Sequence, residues 1–600
     1  MNKHIHSLLN IAYPMKKLLL TSLVLATSLS ARAETLPPAT PATATAVAAA
    51  ERTQWFREAR FGLFIHWGVY AVPAGEWQGK AVGGIGEWIM RNGKIPVADY
   101  RAFAQNFTAA KYDPQAWARL ARTAGTKYVV IGAKHHDGFA LYDSAASDWN
   151  AVQASSAKRD LIAPLAKAVR AEGLKFGCYY SQSQDWINPG GAKFGGARSW
   201  DPAQDGDYDT YLQKCALLQV RELIERYDPA IIWWDTPVNM TKARAKPFGD
   251  VLAQHPNIIT NDRLGEGYNG DTKTPEQHIP PRGYPGELFE VCMTMNDTWG
   301  FKKNDNNWKS VRQILRNLSD ISSKGGNFLL NVGPTAEGEI PAASIERLEA
   351  VGRWMAVNSE AIYATDAGPF PRRLPWGRVT QKRAANGATT LFAQVWDWPA
   401  DGKILLPSLA QIPVGGRLLA GGAPVATELT AEGLVVRLPG AAPDADVSVV
   451  RLDFKAPVVI TQEPFITPGT DGRVTFSALD ADAHGDVHGN IQLRDSGPDA
   501  YLTDWNNPKW RLEYQFKAPA AAKWTVTAEV AAPQPTGLLL TVGKTETPAA
   551  IAATGKGLTW QTVTLGEIAL PAGETRFEIM GAKAGWKGLS IRHVWLTPVQ

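Results

Sequence analysis

The sequence predicts a multidomain protein: a (β/α)8-like (TIM) barrel, then a β-sandwich, then a second β-rich domain. Three observations carry that expectation. At 600 residues the chain is too long for one compact unit. Strand-like apolar runs alternate with amphipathic helix-like runs over roughly 300 residues, the pattern of parallel strands joined by crossover helices. After about Asp366 the helical period stops, and short alternating segments bounded by Gly, Pro and Asp take over.

Taken in order, residues 34–50 are rich in Pro, Ala and Thr and read as a linker. Strands are expected at residues 61–66, 128–133, 174–181, 230–235, 258–261 and 327–332, which gives six or seven clear strands, not eight. Helices are expected at 116–124, with Asp113 as a possible cap, and at 161–171, 211–227 and 308–321. Ile345, Leu348, Val351 and Met355 mark a last helix by their spacing. An open doubly wound sheet is the runner-up, but the glycine-rich phosphate turn usual after its first strand is missing. The expected divisions are a barrel at 51–365, a sandwich at 366–456 and a β-rich module at 457–600.

Residues 1–33 read as a secretory signal, with Met15 the expected true start. Lys16 and Lys17 precede the apolar run Leu18 to Ala26, and Ala31-Arg32-Ala33 supplies a small-residue cleavage site. The expected location is therefore periplasmic or secreted. No later stretch reaches about 20 uninterrupted apolar residues, so no membrane insertion is expected. A formal charge of +4 over this length gives no electrostatic case for nucleic-acid binding. Cys178, Cys215 and Cys292 are odd in number and scattered, which suits buried thiols better than a disulfide framework. Tryptophan is unusually abundant: 22 Trp exceed 19 Phe and 16 Tyr. Indoles pack cores, and they also stack on sugar rings.

In a parallel barrel, ligands are held at the carboxyl ends of the strands. Here six strand ends run into polar groups: His66-Trp67, Lys134-His135-His136-Asp137, Tyr179-Tyr180-Ser181, Asp235, Asn261-Asp262-Arg263 and Asn331. Three of the surrounding segments carry a resemblance. Arg60-Phe61-Gly62-Leu63-Phe64-Ile65-His66-Trp67-Gly68, Lys134-His135-His136-Asp137-Gly138-Phe139 and Asn327-Phe328-Leu329-Leu330-Asn331-Val332-Gly333-Pro334 resemble the α-L-fucosidases of glycoside hydrolase family 29. The likeness extends over about Gln54 to Thr365. It implies a retaining exo-glycosidase acting on fucosylated oligosaccharides or glycoconjugates through a covalent glycosyl-enzyme intermediate, with no metal and no cofactor.

A retaining glycosidase needs two carboxyl groups about 5–5.5 Å apart, one as nucleophile and one as acid and then base. Asp235 ends a wholly apolar strand and matches the family's nucleophile, in the variant run Trp233-Trp234-Asp235. Glu276 is the preferred acid/base, on the view that a mobile loop glutamate reaches the leaving-group oxygen; Glu290, which starts a further expected strand, is the alternative and Glu287 a third choice. The resemblance also implies that His66, His135 and His136 bind sugar hydroxyls, that Glu87 and Trp88 contact the sugar, and that Arg263 contacts the pocket carboxylates. Trp233 shares the strand face of Asp235, and Trp299 is expected at the subsite edge. Strand alternation admits one of Tyr179 and Tyr180 to the pocket, and Tyr180 is the choice. Adjacent histidines on a strand should diverge, so His135 and His136 are not expected to share a metal ion.

The last region, with Trp505-Asn506 and Trp510, looks like the jelly-roll carbohydrate-binding modules appended to bacterial glycosidases. Core packing is the default for Trp505, Trp510, Trp524 and Trp586. Two rival readings are a related retaining exo-glycosidase of different sugar preference and a fucose-binding protein without catalysis. Linkage preference and oligomeric state are not read from the sequence.

Overall fold

The computed structural model describes residues 44–599, apart from 197, 281, 371–372, 461–465, 486–490 and 495–499. The expected signal segment lies outside the described residues.

Eight parallel strands form the barrel: β1 (Phe61–Ile65), β2 (Tyr128–Lys134), β3 (Lys175–Tyr180), β4 (Ile231–Trp234), β5 (Ile259–Thr260), β6 (Thr272–Lys273), β7 (Leu288–Thr294) and β8 (Asn327–Val332). They neighbour one another in the order β5-β4-β3-β2-β1-β8-β7-β6. One parallel bridge, Asn261 against Thr272, joins the two ends of that order. Six of the eight strands were legible as apolar runs. Of the other two, β6 has only two residues, and β7 is the strand expected from Glu290 onward, with Glu290 and Thr294 on the same side as Cys292.

The crossover helices cover the outer face: α1 (Pro114–Thr123), α2 (Ile162–Ala171), α3 (Leu217–Tyr227), α4 (Lys242–Ala253), α5 (Val311–Ser323) and α6 (Ala342–Asn358). Asp113 caps α1 by accepting from the Ala116 N–H, as its position suggests. Ser310 does the same for α5 through Gln313 N–H, and that helix buries Ile314, Leu315, Leu318 and Ile321. The helix expected at 211–227 runs without a gap from Tyr208 to Tyr227, with one wide turn at Leu212–Ala216. The unexpected α4 carries Pro247 and several cationic residues, which mask its period.

Inside the barrel, Phe64, Tyr128, Val130, Tyr179, Ile231, Trp233, Ile259, Cys292 and Leu329 pack together with Phe56 and Ala59, from the helix Ala44–Ala59 that precedes β1. Alternation along each strand sets which residues enter. The β3–β4 register pairs Tyr179 with Trp233 and Tyr180 with Trp234, so Tyr179 shares the lumen with the strand of Asp235 and Tyr180 does not. Cys178, Cys215 and Cys292 are all free and buried.

Beyond the barrel, a five-stranded and a three-stranded antiparallel sheet occupy Asp366 to Phe454 around their own apolar cluster. This sandwich is bonded to the barrel helices: the Trp396 indole donates to Ser319 Oγ of α5, and Trp354 of α6 donates to Val447 O. A six-stranded and a five-stranded sheet then enclose a third core between Val474 and Pro598. Trp505, Trp510 and Trp524 are buried in that core, and Trp586 is half-buried. Among the described residues no helix is long and apolar enough to cross a membrane.

Candidate active site

Asp235 follows the last residue of β4 and is held by groups from four strand ends. Its Oδ1 accepts from Arg263 Nη1 at 3.0 Å and from the Thr236 backbone N–H at 2.8 Å. Oδ2 accepts the Tyr179 hydroxyl at 2.8 Å, and His136 Nε2 stands 3.4 Å away. The Asp235 N–H donates to Gln182 Oε1. Thr236 has φ 42°, a left-handed conformation that costs a β-branched residue about 1–3 kcal/mol and turns its N–H back onto the carboxylate.

Arg263 Nη1 donates a second time, to Glu276 Oε2 at 2.9 Å, while Nη2 donates to Thr274 O. One nitrogen therefore contacts both carboxylates, and their bonded oxygens lie no further apart than the two bonds laid end to end. That limit suits the about 5–5.5 Å spacing of retaining glycosidases. Burial opposes the Arg263 charge, but Glu276, Cys292 and Asp235 outweigh it and hold the guanidinium above the ordinary arginine pKa. The Glu276 side chain is 37% exposed and Asp235 14%, so Glu276 faces solvent more than its partner does. The backbone beside Glu276 is tied down, since Gln277 N–H donates to Cys292 O at 2.9 Å.

Three histidines line the same space. His66 Nδ1 is 2.7 Å from Asn331 Oδ1, and Asn331 Nδ2 donates to Trp299 O. With the amide fixed that way, Nδ1 carries the His66 proton and Nε2 is left as an acceptor. His136 Nδ1 likewise meets Ser181 Oγ at 2.7 Å, and that hydroxyl donates to Gln184 O. His136 Nε2 and Asp235 Oδ2 then face each other as two acceptors 3.4 Å apart, the latter already taking the Tyr179 hydroxyl. Burial lowers the pKa of all three rings, that of His66 to about 4, so they are neutral at pH 7.

His135 stacks on Tyr179 at 5.1 Å, and its ring centre is only 4.2 Å from that of His136. The expected divergence of the two histidines is thus contradicted: β2 ends at Lys134 after a register shift, and both rings lie beyond the regular strand. His135, His136 and Asp235 each offer a ligand atom within 4.8 Å of the others, so among the described residues this is where a cation would be held.

Glu87 is fully buried on a short helical turn, Gly86–Trp88. Its Oε2 accepts from Gly300 N–H at 2.8 Å, while Oε1 has no partner in the described residues, nor has His135 Nδ1. Burial raises the Glu87 carboxyl to about 7. Trp88 lies under the Arg91 guanidinium and sets its edge on His136. Trp299 packs on His66 and Phe64.

Two expected site residues fall elsewhere. Tyr180 is corrected: its hydroxyl donates to Gln219 Oε1 of α3, outside the lumen, and Tyr179 takes the pocket position. A signal for this was present, because β3 repeats inside the barrel the small-then-large alternation of β1, Gly177 and Tyr179 beside Gly62 and Phe64. Glu290 is 2% exposed, with Oε1 accepting from Trp233 Nε1 at 2.9 Å and Oε2 from the Tyr128 hydroxyl, so neither oxygen is open to a substrate. Trp67, for its part, packs in the core against Phe107, Tyr112 and Trp117.

A family model described as Alpha-L-fucosidase matches residues 28–360. The alpha-L-fucosidase of Branchiostoma floridae is 32% identical over 379 residues, which cover 59% of this chain and 80% of that protein. The crystal structure of alpha-L-fucosidase from Vibrio sp. strain EJY3 aligns with a TM-score of 0.69 at 27% identity, over 91% of this chain and 98% of that one. A GH29 alpha-L-fucosidase from Bacteroides thetaiotaomicron aligns with a TM-score of 0.60 at 27% identity, over 67% of this chain and 95% of that one. Its structure is a trapped covalent intermediate with 2-fluoro-fucosyl fluoride, obtained with a glutamate-to-glutamine mutant.

Proposed function

The chain belongs to the alpha-L-fucosidase family of glycoside hydrolases, and we propose that it is an exported, retaining exo-enzyme that removes terminal α-L-fucose from glycans. The observation that carries the mechanism is the single Arg263 nitrogen bonded to both Asp235 and Glu276. In the first step an Asp235 oxygen bonds to the sugar's anomeric carbon as the bond to the leaving oxygen breaks. The Glu276 carboxyl gives that oxygen its proton. In the second, water attacks the anomeric carbon, passes a proton to Glu276, and the ester to Asp235 is released. Tyr179 and Arg263 fix the orientation of the attacking carboxylate.

His66 Nε2, His135 and His136 are the groups we assign to the sugar hydroxyls, with the buried, unpaired Glu87 Oε1 behind them. Trp88, Trp233 and Trp299 offer apolar surface for the ring and its methyl group. Export rests on the charged, apolar and small-residue order of residues 1–33.

Release assays on a panel of aryl glycosides test the sugar: turnover confined to α-L-fucosides supports the reading, and preference for another sugar overturns it. Asp235→Gly should abolish hydrolysis, with azide partly restoring turnover. Glu276→Ala should be spared most on a fucoside whose leaving group needs no protonation. If Glu290→Ala shows that sparing and Glu276→Ala does not, the acid/base assignment falls.

A further inference from the structure

Glu290 is a carboxylate buried among the aromatic side chains of the barrel interior, where an ionisable group is costly unless its oxygens are hydrogen-bonded. The surrounding sequence accommodates it. Gly62 of β1 faces Tyr128, and a Cβ there would sit 2.4 Å from the Tyr128 ring, so any larger residue would displace the phenol that donates to Glu290. The other Glu290 oxygen takes the Trp233 indole N–H at 2.9 Å.

Trp233 in turn touches both groups that hold the nucleophile. Tyr179 stacks on it at 5.6 Å with planes 25° apart, and the Arg263 guanidinium carbon lies 5.0 Å from its ring centre. Those same two residues donate to Asp235 Oδ2 and Oδ1.

Resting on the reading of Asp235 as nucleophile, we infer that Glu290 is a positioning residue. It locks the Trp233 indole, the platform on which Tyr179 and Arg263 are aligned toward Asp235. Glutamine can preserve both hydrogen bonds, its oxygen accepting from Trp233 and its amide donating to the rotatable Tyr128 hydroxyl. Leucine preserves neither.

The test compares Glu290→Leu, Glu290→Gln and Trp233→Phe in the full-length protein. The assay uses two aryl fucosides, one with an activated and one with a poor leaving group. Glu290→Leu should lose kcat about tenfold, the size of one lost buried hydrogen bond, with KM little changed and the same loss on both substrates. Glu290→Gln should restore most of that loss. Trp233→Phe, which keeps a ring but removes the N–H, should lower kcat several-fold by itself, and adding Glu290→Leu to it should cost less than the product of the two single effects.

A folded Glu290→Leu protein with parental kcat would overturn the inference, as would strictly multiplicative losses in the double variant. Should Glu290→Leu fail to fold, parental kcat in Trp233→Phe overturns it instead. Loss in Glu290→Gln confined to the poor leaving group would make Glu290 an acid, not a positioning residue. The reading underneath is tested separately: an active Asp235→Gly enzyme removes the nucleophile assignment itself, whereas an inactive, azide-rescued Asp235→Gly beside a normal Glu290→Leu removes only the positioning role.

Discussion

Replacing Arg263 with alanine should cost about 3 kcal/mol of transition-state stabilisation, roughly a hundredfold in kcat/KM. The figure follows from what its Nη1 touches. The bond to Asp235 joins two largely buried charged groups, with side chains 13% and 14% exposed, and a hydrogen bond between such groups contributes about 1.5–3 kcal/mol. The bond to Glu276 counts for less, about 1 kcal/mol at most, because that side chain is 37% exposed and screened by water. Loss of the cation also leaves two carboxylates facing each other without compensation. Lysine should recover only part of the loss, since a single ammonium can meet both carboxylates but cannot also supply the second nitrogen that donates to Thr274 O. The assay is initial-rate kinetics on an aryl α-L-fucoside, with a thermal melt to establish folding. A folded Arg263→Ala enzyme within threefold of the parent would refute the reasoning.

Further outcomes follow from neighbouring groups. Tyr179→Phe removes the hydroxyl on Asp235 Oδ2 and should lower kcat about tenfold or more, while Tyr180→Phe loses a bond to Gln219 and should change the melting temperature but not kcat; equal kinetic effects would reverse the assignment of the two tyrosines. Glu87, raised by burial to about 7, binds protons in the folded chain that the unfolded chain has already released above about pH 4.5. Its contribution to stability is therefore lost as pH climbs from about 4.5 to 7, so Glu87→Gln should gain melting temperature relative to the parent between pH 5 and pH 8; a pH-independent difference contradicts this. Zinc added in excess should compete with substrate through His135, His136 and Asp235, and His135→Ala should weaken that inhibition; inhibition unchanged in the variant would place the zinc elsewhere.

Much of this arrangement is legible in the sequence. Apolar runs ending in His66, Asp235 and Asn331 marked both the strands and the rim where they gather. What escaped the sequence has physical causes. Strand β6 is too short to show a period, whereas β7 is expected from Glu290 onward and is present at Leu288–Thr294. Tyr179 and Tyr180 are both fully buried, one by the lumen and one by α3, so burial alone could not tell them apart. The histidine pair misled because alternation applies within a strand, and these rings stand after its end. Glu290 resembled a catalytic carboxylate in its motif; only the Trp233 and Tyr128 bonds show both of its oxygens occupied.

The most direct test of the central claim is covalent trapping. Incubation with 2-fluoro-fucosyl fluoride, followed by proteolysis and mass spectrometry, should place one 2-fluoro-fucosyl group on Asp235 in the Trp233-Trp234-Asp235 peptide. A label on any other residue, or an unlabelled enzyme that releases fucose with inverted anomeric configuration, would contradict the account.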